Sequence, residues 1–303
     1  MTVGRTAAGA GSRRRTRARR RSGRVARSIV LYGLMALTLV VVLAPFAWLL
    51  ISSVSLPADL LARPLSFIPH AISLDRFAAL TFSANPDSSA AGFRAAMWNS
   101  LVVATAVTLV GLLVGVPAAY AFARLRFPGR GWLILAFMAT YMLPPIALVI
   151  PLYQTMSALH LIDTTVALVI IYSSFVTPFV IWIMRGYFEA VSPELDDAAR
   201  VDGCSRLGAL LRVVLPVSTP GIVSTSLLAF LLSWDEFFYA LIMTQTPVAK
   251  TLPVALNDFI GRHGIDFGML AAGGVIAAIP PVLIAFAFQR YLIAGLTAGG
   301  VKG

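Results

Sequence analysis

The sequence is short of almost everything that soluble enzymes work with. Only 12% of its 303 residues are charged, about half the share a soluble globular domain carries. Its one cysteine, Cys204, excludes an intramolecular disulfide and any cysteine-built metal cluster. Three histidines, His70, His160 and His263, stand far apart, and no His-Glu-x-x-His helix or Gly-x-Ser-x-Gly elbow is present. Lysine is nearly missing: Lys250 and Lys302 follow Ala249 and Val301, whereas a phosphate-cradling nucleotide loop places its lysine directly after glycine. The chain therefore cannot hydrolyse ATP through such a loop, and an ATP-driven role requires a partner. It reads as a non-enzyme, with no catalytic, cofactor-binding or metal-ligating residue assigned.

What the chain does have is apolar surface. Hydrophobic residues make up 58% of it and its mean hydropathy is +0.85, which calls for lipid as the solvent. The apolar runs are continuous rather than alternating, so they predict helices and not a β-barrel. Since a bilayer core takes about 20 helical residues, the runs free of charge predict an all-α membrane protein of six transmembrane helices. The first covers about residues 29–52 and the second lies within 95–123. The third and fourth, about 132–157 and 164–186, are parted by a polar break at His160–Asp163. The fifth runs from Val217 to about Met243, and the sixth covers roughly 268–290.

Charge placement orients this body. Ten arginines from Arg5 to Arg27 precede the first apolar run. The segment, residues 1–28, has no apolar period and reads as a disordered basic cytoplasmic tail, ahead of a six-helix membrane domain over 29–303. It lacks interleaved aromatics, so no nucleic-acid partner is assigned. With the tail inside, the cytoplasmic segments hold 19 Lys and Arg and the external ones 5. The positive-inside rule then puts both termini in the cytoplasm. The longest external loop covers about residues 53–96.

Two stretches break the apolar monotony. Trp234-Asp235-Glu236-Phe237 puts adjacent carboxylates inside the fifth run, where charge is expensive unless it faces a cavity or a partner. These residues read equally as a lining for hydroxyl-rich solutes and as a structural pair near the outer interface. The other stretch, about 189–216, lies between spans 4 and 5 on the cytoplasmic side. Ser192-Pro193-Glu194 is a helix start, with a cap, a proline in the first turn and acids behind it. Asp197-Ala198-Ala199 gives a small close-approach surface, and Gly203 follows Asp202 as a left-handed stop. A second helix, about Ser205 to Val214, is expected to close at Leu215-Pro216. A passive interfacial connector could look similar, but two signalled helices are more than a short connection needs.

The pattern Asp197-Ala198-Ala199, Gly203, Val213, Leu215-Pro216 resembles the coupling motif of permease subunits of ATP-binding-cassette importers, with Asp for the usual Glu and Val for the usual Ile. Asn99-Ser100-Leu101, the run Ala119-Tyr120-Ala121-Phe122-Ala123-Arg124 through Pro128-Gly129, Trp234-Asp235-Glu236-Phe237 (Asp for Asn) and the ending Gly295–Gly303 resemble the carbohydrate permeases of the MalG type. The resemblance covers about Tyr32 to Gly303. It implies a multi-pass subunit of the bacterial plasma (inner) membrane that forms half of a sugar-translocation pathway. The other half would be a second, non-identical permease subunit, with an ATPase subunit dimer beneath and an external solute-binding protein above. Asp197, Ala198, Ala199, Asp202, Gly203, Leu215 and Pro216 would form the cytoplasmic coupling helix–turn–helix between helices 4 and 5. Trp234, Asp235, Glu236 and Phe237 are candidate pathway-lining residues. The alternative is a secondary, ion-coupled transporter using Asp235 and Glu236; a membrane-embedded enzyme using the same pair would need further polar groups at that depth.

Overall fold

The structure, a computed structural model, describes residues 9–63, 67–82, 89–261 and 264–300. In chain order it runs α1 (Gly9–Val54), α2 (Pro57–Leu60), α3 (Asp75–Phe82), α4 (Ser89–Arg124), α5 (Arg130–Thr140), α6 (Pro145–Ala158) and α7 (Thr165–Ala190). Then come α8 (Pro193–Val201), α9 (Arg206–Ala209), a π-turn (Leu210–Val214), α10 (Leu215–Val217), α11 (Thr219–Trp234), α12 (Phe238–Met243) and α13 (Leu252–Asn257). A two-residue antiparallel hairpin, β1 (Ile260–Gly261) with β2 (Gly264–Ile265), leads into α14 (Phe267–Gly300).

Among the described residues four stretches are long and apolar enough to cross a bilayer unbroken: Ser28–Val54, Gly92–Arg124, Thr165–Ala190 and Phe267–Tyr291. Two bent pairs bring the number to as many as six: α5 meets α6 at 93°, and the helix through Val217 meets α11 at 83°. The third expected span is thus not straight. Pro144 holds an extended backbone (φ −66°, ψ 132°) ahead of Pro145, because a residue preceding proline is pushed out of the helical region.

The fifth span differs as well. It was expected to run unbroken to Met243, but α11 stops at Trp234 and α12 starts at Phe238. Upstream, α4 begins at Ser89, inside the stretch expected to be external loop, and α1 begins at Gly9, inside the tail expected to be disordered. Both segments are rich in Ala or Arg, residues with high helix propensity.

The centre of the bundle is the crossing of α4 with α7. Lipid offers no hydrophobic drive between helices, so close approach through small residues decides such contacts. Gly111 and Gly115, four apart on α4, face Val176 and Val180 of α7; a Cβ on Gly115 would lie 2.7 Å from a Val180 methyl. Around this crossing Tyr172, Val176, Val180, Met184 and Phe188 are fully buried. A second cluster near the opposite ends of α4 and α11 gathers Leu80, Phe93, Trp234, Phe259 and Ile276. Helix α1 packs on α14 at the margin, and the most apolar window of its span has no buried residue, as suits a lipid-facing helix.

The segment between α1 and α4 is tied down. Arg76 of α3 donates from Nη1 to the Ser55 carbonyl at 2.6 Å and reaches those of Ser52 and Ser53 at 3.4 Å. A guanidinium thereby meets the unpaired carbonyls at the C-terminus of α1, where a cation is favoured. It also fills the space above Gly268, where a Cβ would collide with it. Asp59 accepts from the backbone amide of His70 at 3.1 Å and pairs with its Nδ1 at 2.6 Å. His70 thus has a structural partner, although its side chain is 79% exposed. His263 lies outside the described residues.

Candidate coupling and pathway sites

The polar island forms the expected helix–turn–helix. Ser192 caps α8, its Oγ accepting from the Glu194 amide. Gly203 follows with φ +87°, a conformation costly for any residue with a Cβ; nothing crowds that Cβ position, so only the backbone demands glycine. Ser205 caps α9 by accepting from the Gly208 amide at 3.1 Å. The second helix does not close at Leu215-Pro216 as expected. Pro216 has no N–H for the carbonyl four residues back, and the ladder slips into a π-turn in which the Leu215 amide bonds Leu210. The helix then runs on to Val217 and swings into α11.

Within α8 the side chains divide by face. Asp197, Ala198 and Val201 point outward, Val201 being 86% exposed, while Asp196 and Ala199 are buried. Asp196 is the residue that sequence reasoning missed. Its Oδ2 lies 2.7 Å from Nε of Arg124, and its Oδ1 accepts from the Tyr120 hydroxyl at 2.7 Å. Arg124 also donates from Nη2 to the Val191 carbonyl at 2.7 Å. The pair's side chains are only 11% and 10% exposed. The last turn of α4 is thereby riveted to the first turn of α8. The sequence carried a signal for this: positions 196 and 199 share a helix face and 197 does not.

In the second candidate site, the four residues Trp234–Phe237 do not act alike. Glu236 turns back on its own chain, Oε1 accepting from the Tyr239 amide at 2.9 Å and Oε2 from the Ala240 amide at 3.2 Å. It caps α12 and so holds the break open. The fully buried Tyr172 neighbours the same carboxylate. Trp234 is buried and stacks on Phe230, with centroids 5.5 Å apart; Phe237 is half-buried. Asp235 is exposed and lines a cavity of about 440 Å³ with residues of α13 and α14.

Beyond α12, a latch joins the two halves of the bundle. Asp163, in the break between α6 and α7, has φ +59°. Its Oδ1 accepts from the Gln245 and Thr246 amides at 2.8 and 3.0 Å, and its Oδ2 from the Thr246 hydroxyl at 2.6 Å. Burial acts to raise this carboxyl's pKa, but those three hydrogen bonds and the field of Lys250 outweigh it and hold it below its ordinary value. Asn99 donates to the carbonyls of Pro247, Val248 and Lys250, and Ser100 accepts from the Leu252 amide at 2.7 Å. The Asn-Ser pair at positions 99 and 100 is therefore a clamp on the 247–252 segment. Among the described residues no group of three or more His, Cys, Asp or Glu side chains could hold a metal ion.

A family model described as the binding-protein-dependent transport system inner membrane component matches residues 111–297, taking in the helix–turn–helix and the break in α11. The chain belongs to this family. It is accordingly a multi-pass inner-membrane transport component, and the family is one of permeases rather than enzymes. The permease is similar to the sulfoquinovosyl glycerol transport system permease protein SmoH of Agrobacterium fabrum, at 34% identity over 86% of this chain and 89% of that one. It is equally similar to the trehalose/maltose transport system permease protein MalG of Thermococcus litoralis, 34% identical over 87% of this chain and 93% of that one. In fold it resembles a bacterial ABC transporter involved in import of the acidic polysaccharide alginate, with a TM-score of 0.74 and 23% identity over 89% of this chain and 98% of that one.

Proposed function

We propose that this permease is one half of the translocation pathway of an ATP-driven carbohydrate importer. The helix–turn–helix of α8 to α10 is its coupling element, docked in a cleft of a separate ATPase dimer. A second, non-identical permease subunit completes the path, and an external solute-binding protein delivers the sugar. Both termini lie on the cytoplasmic side, in line with the Lys and Arg distribution. ATP-driven closure of the ATPase dimer moves α8, and the rigid linkage passes that movement to the membrane helices.

The observation that carries this reading is a helix locked from behind and bare in front. Asp196 and Arg124 fix α8 to α4, while Asp197, Ala198 and Val201 stand exposed on its outer face. A passive connector needs no such anchor. Ion coupling through adjacent carboxylates is disfavoured, since Glu236 is occupied in capping α12. The curated relatives named as sugar permeases favour a carbohydrate as the solute.

The test uses the complete transporter with co-purified partners. Gly203→Pro imposes a negative φ on a turn built at +87° and should abolish ATP-driven sugar uptake while the chain still inserts and assembles. Normal uptake by that variant would remove the coupling role, and uptake that persists without ATP but collapses with uncouplers would favour ion coupling.

A further inference from the structure

The cavity behind the break in α11 has an unusual lining. Its volume of about 440 Å³ lies in the range of small-molecule sites, and Trp234, Leu252, Leu256, Ala277 and Pro281 form its apolar walls. Asp235 is the single ionisable residue among its lining side chains. Glu236 beside it is spent on α12, and Lys250, the nearest basic residue in sequence, is bound to Asp258 at 2.9 Å. The Asp235 carboxylate thus faces the cavity without a countercharge from that lining. Pro281 has no N–H, so the Ala277 carbonyl four residues earlier lacks its helical donor, and both residues line the cavity.

Depth makes the carboxylate informative. The 16 residues of α11 set Asp235 roughly 24 Å along the helix from its start. A charge so placed is not left facing lipid; it faces water or a partner. We propose that this cavity is a water-filled solute subsite on the translocation path, which accepts neutral or amine-bearing saccharides and rejects carboxylated or sulfonated ones. The inference rests on the sugar-importer reading for the nature of the solute. The Asp235 side chain accepts from hydroxyl and ammonium donors, and a lone negative charge in a low-dielectric wall repels anions.

The single native cysteine makes the subsite testable in the assembled transporter. Cys204→Ser removes the background thiol and Ala278→Cys, on the cavity lining, installs a reporter. Its modification by methanethiosulfonates carrying trimethylammonium or sulfonate is followed by the mass of this chain. Relative to the same reagents on free cysteine, the cation should react faster than the anion by on the order of tenfold. Asp235→Asn should bring that ratio near one, and Asp235→Glu should keep it. Absence of reaction with either reagent, or a ratio near one with Asp235 in place, overturns the proposal. ATP-driven uptake measured on the same preparation reads the importer assignment separately, so failure of one is not mistaken for failure of the other.

Discussion

The anchor between α4 and α8 yields a prediction that can be worked from its geometry. Arg124→Met removes the cation 2.7 Å from Asp196 and the donor to the Val191 carbonyl, leaving the carboxylate with the Tyr120 hydroxyl alone. Breaking a buried pair by deleting one partner costs about 3–5 kcal/mol, because the remaining charge stays desolvated. The side chains keep about a tenth of their exposure, so the lower end, about 3 kcal/mol, applies; this is roughly a hundredfold in the docking equilibrium. The loss should appear locally, as a fall of that size in amide exchange protection over residues 193–201, measured by mass spectrometry on the assembled transporter. Uptake should fall with it. The double variant Arg124→Met with Asp196→Leu leaves no buried charge and should recover most of the protection. A single-variant effect under about 1 kcal/mol, or a double variant no better than the sum of the singles, would refute the anchor.

Two further predictions follow from other contacts. Gly115→Leu forces a branched side chain where even a Cβ meets Val180 at 2.7 Å; overpacking of this kind costs about 1–3 kcal/mol and should lower the thermal midpoint of the purified complex, whereas Gly186→Ala, with open space around it, should not. The Asp163 latch is strengthened by ionisation, its folded pKa lying below the ordinary carboxylate value of 3.8. A depressed carboxylate contributes stability that is fully present above the unfolded value and lost as pH falls through the folded one. Amide protection at residues 244–246, taken relative to the intrinsic exchange rate at each pH, should therefore be flat from neutral pH down to about 4 and fall below the ordinary value, while Asp163→Ala should expose the segment at every pH; a transition near neutrality would point to another group.

Much of the site was legible because it is written in local chemistry. Ser192-Pro193-Glu194 and Gly203 mark a helix start and a left-handed stop whatever surrounds them, and the structure places both there. The helix between them has two faces, and spacing alone did not say which one the protein covers. Asp197 drew attention as part of the motif, yet it is Asp196 that faces Arg124, 72 residues away in sequence. In the same way Asp235 and Glu236 were indistinguishable as neighbours. The break in α11 parts them, one to cap α12 and the other to line a cavity.

By itself the sequence determined the solvent, the helical class and the position of the polar island, since these follow from hydropathy, residue geometry and charge counts that need no partner. It also ruled out a lysine-bearing nucleotide loop. Tertiary structure alone decided where the helices bend, how Gly111 and Gly115 admit Val176 and Val180, and which carboxylate is buried, capped or left open. Those outcomes depend on groups brought together from distant positions. In lipid, where close packing and satisfied polar groups replace the hydrophobic drive, such encounters decide the arrangement.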